Sequence, residues 1–247
     1  MLINIHCAKC VGIDAIPVIV EVDVATGIGI HLVGLADAAI KESLLRIVTS
    51  LQTLGFRIPG RKIVINLAPA DMHKKGSGYD LPIALGIIAA SAQRVLPLLD
   101  KFLIMGELGL DGTIREVPGA LPTVELAAKR GMMGCILPRQ SALEASEYNI
   151  IDVYGVETME EVLEILSGEV AREDLLARNI RTGARTGAGQ GISGAMDFSE
   201  IIGQEAAKRG LEIAAAGGHN AILIGSPGSG KSSLAKAMAG ILPPMSL

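Results

Sequence analysis

The chain has 247 residues, of which 49% are hydrophobic, 19% charged and 2% aromatic, with a formal net charge of −4. This balance excludes a disordered polymer and a generally basic nucleic-acid coat, and the length allows one large domain or two ordinary ones. The longest apolar run, Leu81 to Ala92, contains Pro82 and is too short for a membrane span, and no basic-then-apolar leader opens the chain, so a cytoplasmic protein with no membrane partner is expected.

Residues 1–168 read as one α/β domain of short strands interleaved with helices. Cys7-Ala-Lys-Cys10 comes first. It is a lone C-x-x-C, and with Cys135 the only other cysteine, neither a zinc site nor a disulfide framework is completed. Two small apolar residues near the first strand are the expected reading. Pro17 to Val24, with Val18, Val20, Val22 and Val24 alternating, and Gly29 to Val33 predict strands. Ala36 to Leu54 predicts a helix, since Ile40, Leu44, Ile47, Val48, Leu51 and Leu54 fall on one stripe and Gly55 supplies a stop.

Lys62 to Leu67 predicts a strand, and Leu81 to Ala92 a buried helix with Pro82 in its first turn. Phe102 to Leu108 and Thr113 to Val117 are expected to pair as a hairpin around Asp111-Gly112. Pro118 to Arg130 is an amphipathic helix, and Gly134 to Leu137 and Asp152 to Val156 are strands. Thr158-Met159-Glu160-Glu161 is a capping box that opens a helix ending near Gly168. Arg61, Lys62, Lys74 and Lys75 are a candidate basic patch for DNA, with an ordinary solvated surface as the alternative.

Residues 169–196 form a basic, glycine-rich linker carrying Arg172, Arg178, Arg181 and Arg185. A solvated tether is the expected role, although such a stretch could also follow nucleic-acid phosphates. Periodicity resumes over 197–247, with a helix at Ile201 to Ala216, a short apolar strand at Ala221 to Ile224 and a helix from Lys231 to Ile241. Between the last two lies Gly225-Ser226-Pro227-Gly228-Ser229-Gly230-Lys231-Ser232-Ser233, which meets G-x-x-x-x-G-K-[ST] in full.

Glycines in such a loop let successive N–H groups turn toward phosphate oxygens, and the following helix adds its free N–H groups and positive end. Lys231 would reach the β- and γ-phosphates of ATP or GTP, and the Ser232 hydroxyl would ligate Mg²⁺. Hydrolysis needs, in addition, an acidic strand for the metal and a group that positions water. Residues 233–247 offer neither, so the sequence is expected to be a fragment whose nucleotide domain is truncated, with poor affinity and no turnover of its own.

Together these landmarks resemble the magnesium-chelatase-like AAA+ ATPases of the ComM/YifB type. The resemblance is carried by Val18 to Asp23, Val33 to Ser43, Val64 to Asp71, Tyr79 to Gly86, Gly106 to Gly112, Asp197 to Gln204 and Gly217 to Gly225, in the family's order and over almost the whole chain. It implies an N-terminal domain with the Lon-protease-like, ribosomal-S5-domain-2-like α/β fold, followed by the start of a P-loop AAA+ domain. It also implies a homo-hexameric ATP-driven motor acting on DNA as a branch-migration helicase during natural transformation. In such proteins the segment matching Ile202-Gly203-Gln204 lies beside the adenine, so these three residues join the nucleotide site by resemblance.

A Lon-like fold raises proteolysis, which the residues do not support. Matching Lys75-Gly76 to the Lon serine motif puts Gly78 at the nucleophile position, with Ser77 one residue early, and the lysine position falls on Pro122. A Ser77–Lys129 pair would require another geometry. The alternatives to a motor are a magnesium-chelatase-type metal-insertion subunit, for which no ligand cluster is present, and a non-catalytic module that binds DNA or neighbouring subunits.

Overall fold

The computed structural model describes residues 2–35, 37–146, 148, 150–180 and 196–242. They fall into two compact units, Met1–Thr186 and Gly187–Leu247. The first is a mixed α/β domain built on a mostly parallel seven-stranded sheet. Its strands are β1 (Ile3–Val11), β2 (Asp14–Ala25), β3 (Ile30–Val33), β4 (Lys62–Ala68), β5 (Phe102–Ile104), β8 (Gly134–Pro138) and β9 (Asp152–Val156). The order across the sheet is β3-β4-β2-β1-β5-β8-β9, and β6 (Glu107–Leu108) and β7 (Ile114–Arg115) form a separate two-stranded ribbon.

The centre of the sheet is an antiparallel hairpin. β1 pairs with β2 from Ile3↔Val22 to Val11↔Asp14, and Gly12, at φ +65°, makes the tight turn between them. β1 lies beyond the predicted strands because it reads as a strand only against the alternation of β2. Valines 18, 20, 22 and 24 all face inward, as their period of two requires. The same period sends Cys7 and Cys10 to opposite faces. Cys7 is buried, and burial pushes its thiol well above the ordinary range, whereas Cys10 Sγ sits 3.5 Å from the Gly119 carbonyl oxygen.

Helix α1 (Ala38–Thr53) starts where Asp37 accepts the Ile40 N–H at 2.9 Å and ends at Gly55, whose φ is +82°. It packs on α2 (Asp80–Ala90), which is buried along its whole length and touches β1 and β2. Gly86 allows that contact, for a Cβ there would lie 2.4 Å from Val22 Cγ2. Burying Ile83, Leu85, Ile87 and Ile88 contributes about 1.5–3 kcal/mol each. α3 (Ala120–Lys129) lies against β1, β2 and β8, while α4 (Arg139–Glu144) and α5 (Met159–Ser167) flank β9. α5 carries the predicted capping box, with Thr158 accepting from Glu161 and Gly168 in the left-handed region.

Four expectations are corrected. Phe102 to Leu108 is not one hairpin arm, because it breaks at Met105-Gly106 into β5, parallel to β1 and β8, and β6, which pairs with β7. Gly106 marks the break, since a Cβ there would stand 3.0 Å from Leu81 Cδ2 and 3.1 Å from Ile114 Cγ2. Lys74 does not join a surface patch with Arg61, Lys62 and Lys75, for its side chain is buried and Nζ donates to the Pro69 carbonyl. Burial holds that ammonium below its ordinary value, with Asp71 working in the opposite direction.

Part of the stretch read as linker is also packed. Leu175, Leu176 and Ala177 are buried, and Leu176 bridges to Tyr154 of β9. Arg178 there donates to Asp152 at 2.7 Å. Arg181 and Arg185 lie outside the described residues. Finally, Ala221 to Ile224 is not a strand. It runs without ladder bonds, with Ile222 and Ile224 exposed, because a strand exists only against a pairing neighbour and the described residues of this unit provide none.

Candidate functional site: a glycine loop at a helix N-terminus

Among its described residues the second unit has two helices, α6 (Glu205–Gly217) and α7 (Lys231–Met238), and a 3₁₀ turn at Phe198–Glu200. Phe198 and Leu211 meet Leu234 and Ala237 in a small core. Leu234 is therefore covered from within the unit, while Ile241 remains exposed.

The loop from Gly225 to Gly230 runs into α7. Gly228 and Gly230 take φ of +79° and +83°, the left-handed region that side chains disfavour, and Gly230 is the residue at the helix cap. Gly225 is small for a different reason, because a Cβ there would stand 3.1 Å from Ser229 Oγ. The first N–H groups of α7 have no acceptor within the helix, so the loop ends on a set of free donors at a positive dipole end. Lys231 folds back over it. Its Nζ donates to the carbonyls of Gly225 at 2.9 Å and Ser226 at 2.6 Å, and lies 3.3 Å from Ser229 Oγ. Ser232 is exposed on the first turn, with Ser233 half-buried behind it, and Pro227 sits at the exposed tip.

Ile202, Gly203 and Gln204 lie just before α6. The structure brings one of them to the loop, since Gln204 Nε2 donates to the Ser229 carbonyl at 3.3 Å. Ile202 is 97% exposed. Lys208, which sequence reasoning did not single out, fastens this segment by donating to the Ile201 carbonyl. Its position one turn past Gln204 on α6 was the available signal.

In the first unit, the residues that a Lon-like protease reading would use have other partners. Ser77 Oγ donates to Glu107, while Lys129 Nζ pairs with Glu125 at 2.6 Å, one turn back on α3. Among the described residues no group of His, Cys, Asp and Glu side chains is placed to hold a metal ion, and no helix is long and apolar enough to cross a membrane.

A mixed α/β domain followed by a glycine loop at a helix N-terminus is the arrangement that a P-loop-bearing AAA+-type chain would present. Comparison with known proteins agrees. The family described as subunit ChlI of Mg-chelatase matches residues 20–141, and that described as magnesium chelatase, subunit ChlI, matches residues 197–247. The uncharacterized protein YifB of Escherichia coli (strain K12) is 39% identical over 248 residues, covering 98% of this chain and 46% of that protein. Competence protein ComM of Haemophilus influenzae is 38% identical over 242 residues, covering 98% and 47%. The archaeal Lon protease of Thermococcus kodakarensis is 29% identical over 111 residues, 43% of this chain and 17% of its own, in keeping with a Lon-like first domain.

The chain belongs to the magnesium-chelatase-like, AAA+-type family of ComM and YifB. It spans about half the length of the curated relatives it matches.

Proposed function

We propose that residues 225–233, with Ile202, Gly203 and Gln204 alongside, bind ATP with Mg²⁺, and that the protein to which this chain belongs is a cytoplasmic ATP-driven motor on DNA. The observation that carries the reading is the loop itself: glycines in the left-handed region, Lys231 above them, and α7 presenting free N–H groups. Lys231 exchanges its carbonyl partners for the β- and γ-phosphates, and Ser232 contributes a hydroxyl oxygen of the kind Mg²⁺ prefers. The motor role, the homo-hexamer and branch migration on incoming DNA belong to the same proposal, and similarity to a protein named for competence supports them.

Binding is tested by calorimetry with Mg²⁺ and a non-hydrolysable ATP analogue on the chain and its Lys231→Ala variant. Lys231 supplies a charged hydrogen bond, so its loss is expected to weaken binding roughly 10- to 100-fold. Equal binding by the two sinks the assignment of the loop. The motor reading is tested on the whole protein by asking which polymer or cofactor stimulates ATP turnover. Stimulation by branched or single-stranded DNA supports it, and stimulation by a porphyrin instead moves the protein to metal insertion.

A further inference from the structure

Gln204 enters α6 with φ +61° and ψ +31°, a region that a residue bearing a Cβ occupies only at a cost. Among the described residues other than glycine, only Leu35 and Ala92 share a positive φ. The segment that leads to it is fastened. Asp197 accepts the Ser199 N–H at 2.7 Å and Glu200 accepts the Asp197 N–H at 3.2 Å, while Lys208 holds the Ile201 carbonyl. From this fixed base the Gln204 amide reaches the loop and donates to the Ser229 carbonyl at 3.3 Å.

That carbonyl shares a planar peptide with the Gly230 N–H, and in a trans peptide the two point in opposite directions. Holding one therefore aims the other, and the Gly230 N–H is among the donors a phosphate chain would use. Ser229 is also the residue whose Oγ lies 3.3 Å from Lys231 Nζ, so a single hydrogen bond from Gln204 bears on both the N–H groups and the lysine.

We propose that Gln204 is a positioning residue of the phosphate loop: its side chain sets the Ser229–Gly230 peptide for polyphosphate, independently of the base. This rests on the reading of residues 225–233 as a polyphosphate site. It differs from a base contact, in which the amide would read the purine edge and leave the loop alone.

The test titrates Mg²⁺ with ATP, and separately with tripolyphosphate, into the full chain and its Gln204→Ala and Gln204→Gly variants. Gln204 is exposed, so both variants keep the core, and glycine additionally relieves the positive φ. The expected result is a loss of roughly fivefold for both ligands in both variants, the worth of one hydrogen bond. A loss confined to ATP, with tripolyphosphate unchanged, overturns the proposal in favour of a base contact. Glycine binding as well as the wild type while alanine does not also overturns it, since the backbone would then be the whole effect. A wild-type chain that binds ATP but not tripolyphosphate does the same, because the loop would not hold a phosphate chain unaided. A folded wild type that binds neither ligand overturns the nucleotide reading itself.

Discussion

Arg46 places both Nε and Nη2 on one oxygen of Asp80, at 3.0 and 2.9 Å from Oδ2, and leaves Oδ1 without a hydrogen-bond partner among the described residues. Ser43 is beside this carboxylate but gives its own proton to the Ile40 carbonyl at 2.7 Å. The pair ties α1 to the first turn of α2, and the Leu108 N–H adds a 3.4 Å contact from β6. Burial dominates the balance and pushes the Asp80 carboxyl up to about 6, against the opposing pull of Arg46.

That shift has a sign in stability. Well below pH 4 the carboxyl is neutral in the folded and unfolded chains alike, and no cost arises. As pH rises toward 6, the unfolded chain releases this proton before the folded one does, so stability falls, by about 3 kcal/mol in all. Asp80→Asn is expected to flatten this part of the profile relative to wild type, measured by urea denaturation between pH 4 and pH 8. Parallel profiles would show that Asp80 is not buried as a carboxylate.

Arg46→Ala probes the same pair from the other side. It leaves a carboxylate that is 1% exposed without its counter-charge, and Arg46 itself is 29% exposed, so part of its effect is screened. A loss of about 2–3 kcal/mol at pH 8 is expected, shrinking toward pH 4 as Asp80 takes up its proton. A loss that did not vary with pH would assign the effect to packing of the arginine stem.

Gly86→Ala is expected to destabilise the first unit even though alanine is the better helix former by about 1 kcal/mol. The new methyl would stand 2.4 Å from Val22 Cγ2 and 3.0 Å from Ile5 Cδ1, and valine, stiff at its branched carbon, cannot swing aside. Overpacking of this kind costs about 1–3 kcal/mol, so the net change in a denaturant titration is small but unfavourable. A stabilised variant would mean that α2 stands further from the sheet.

What was legible in the sequence was local. The capping box at Thr158–Glu161, the stop at Gly55, the bounds of β9 and the glycine loop all depend on residues within a few positions of one another, and each is present. What escaped depended on partners far along the chain. β1 is defined by β2, β5 is separated from β6 by the approach of Leu81 to Gly106, and Ala221 to Ile224 has a strand's composition without a neighbour to pair with among the described residues. Lys74 escaped for the same reason, since nothing nearby announces that the Pro69 carbonyl will receive a buried ammonium. At the candidate site the loop could be read from spacing, whereas the bond from Gln204 to Ser229 joins residues 25 apart and required the fold.

Leu234→Ala tests whether the second unit holds together by its own core. Leu234 is 2% exposed and packs with Phe198, Leu211 and Ala237, the buried members, among the described residues, of a cluster far smaller than that of the first unit. Truncating a buried leucine costs about 2–5 kcal/mol, which is comparable to everything so small a core can supply. Hydrogen exchange resolved by peptide should therefore show α6 and α7 losing protection together, because they share the cluster, while β1, β2 and α2 keep theirs. The loop between Gly225 and Gly230 is held by Lys231 of α7 and by Gln204 at the start of α6, so its protection should fall with the two helices. Protection lost equally across both units would instead mean that they unfold as one, and protection retained in α6 and α7 would mean that contacts outside this cluster hold the helices.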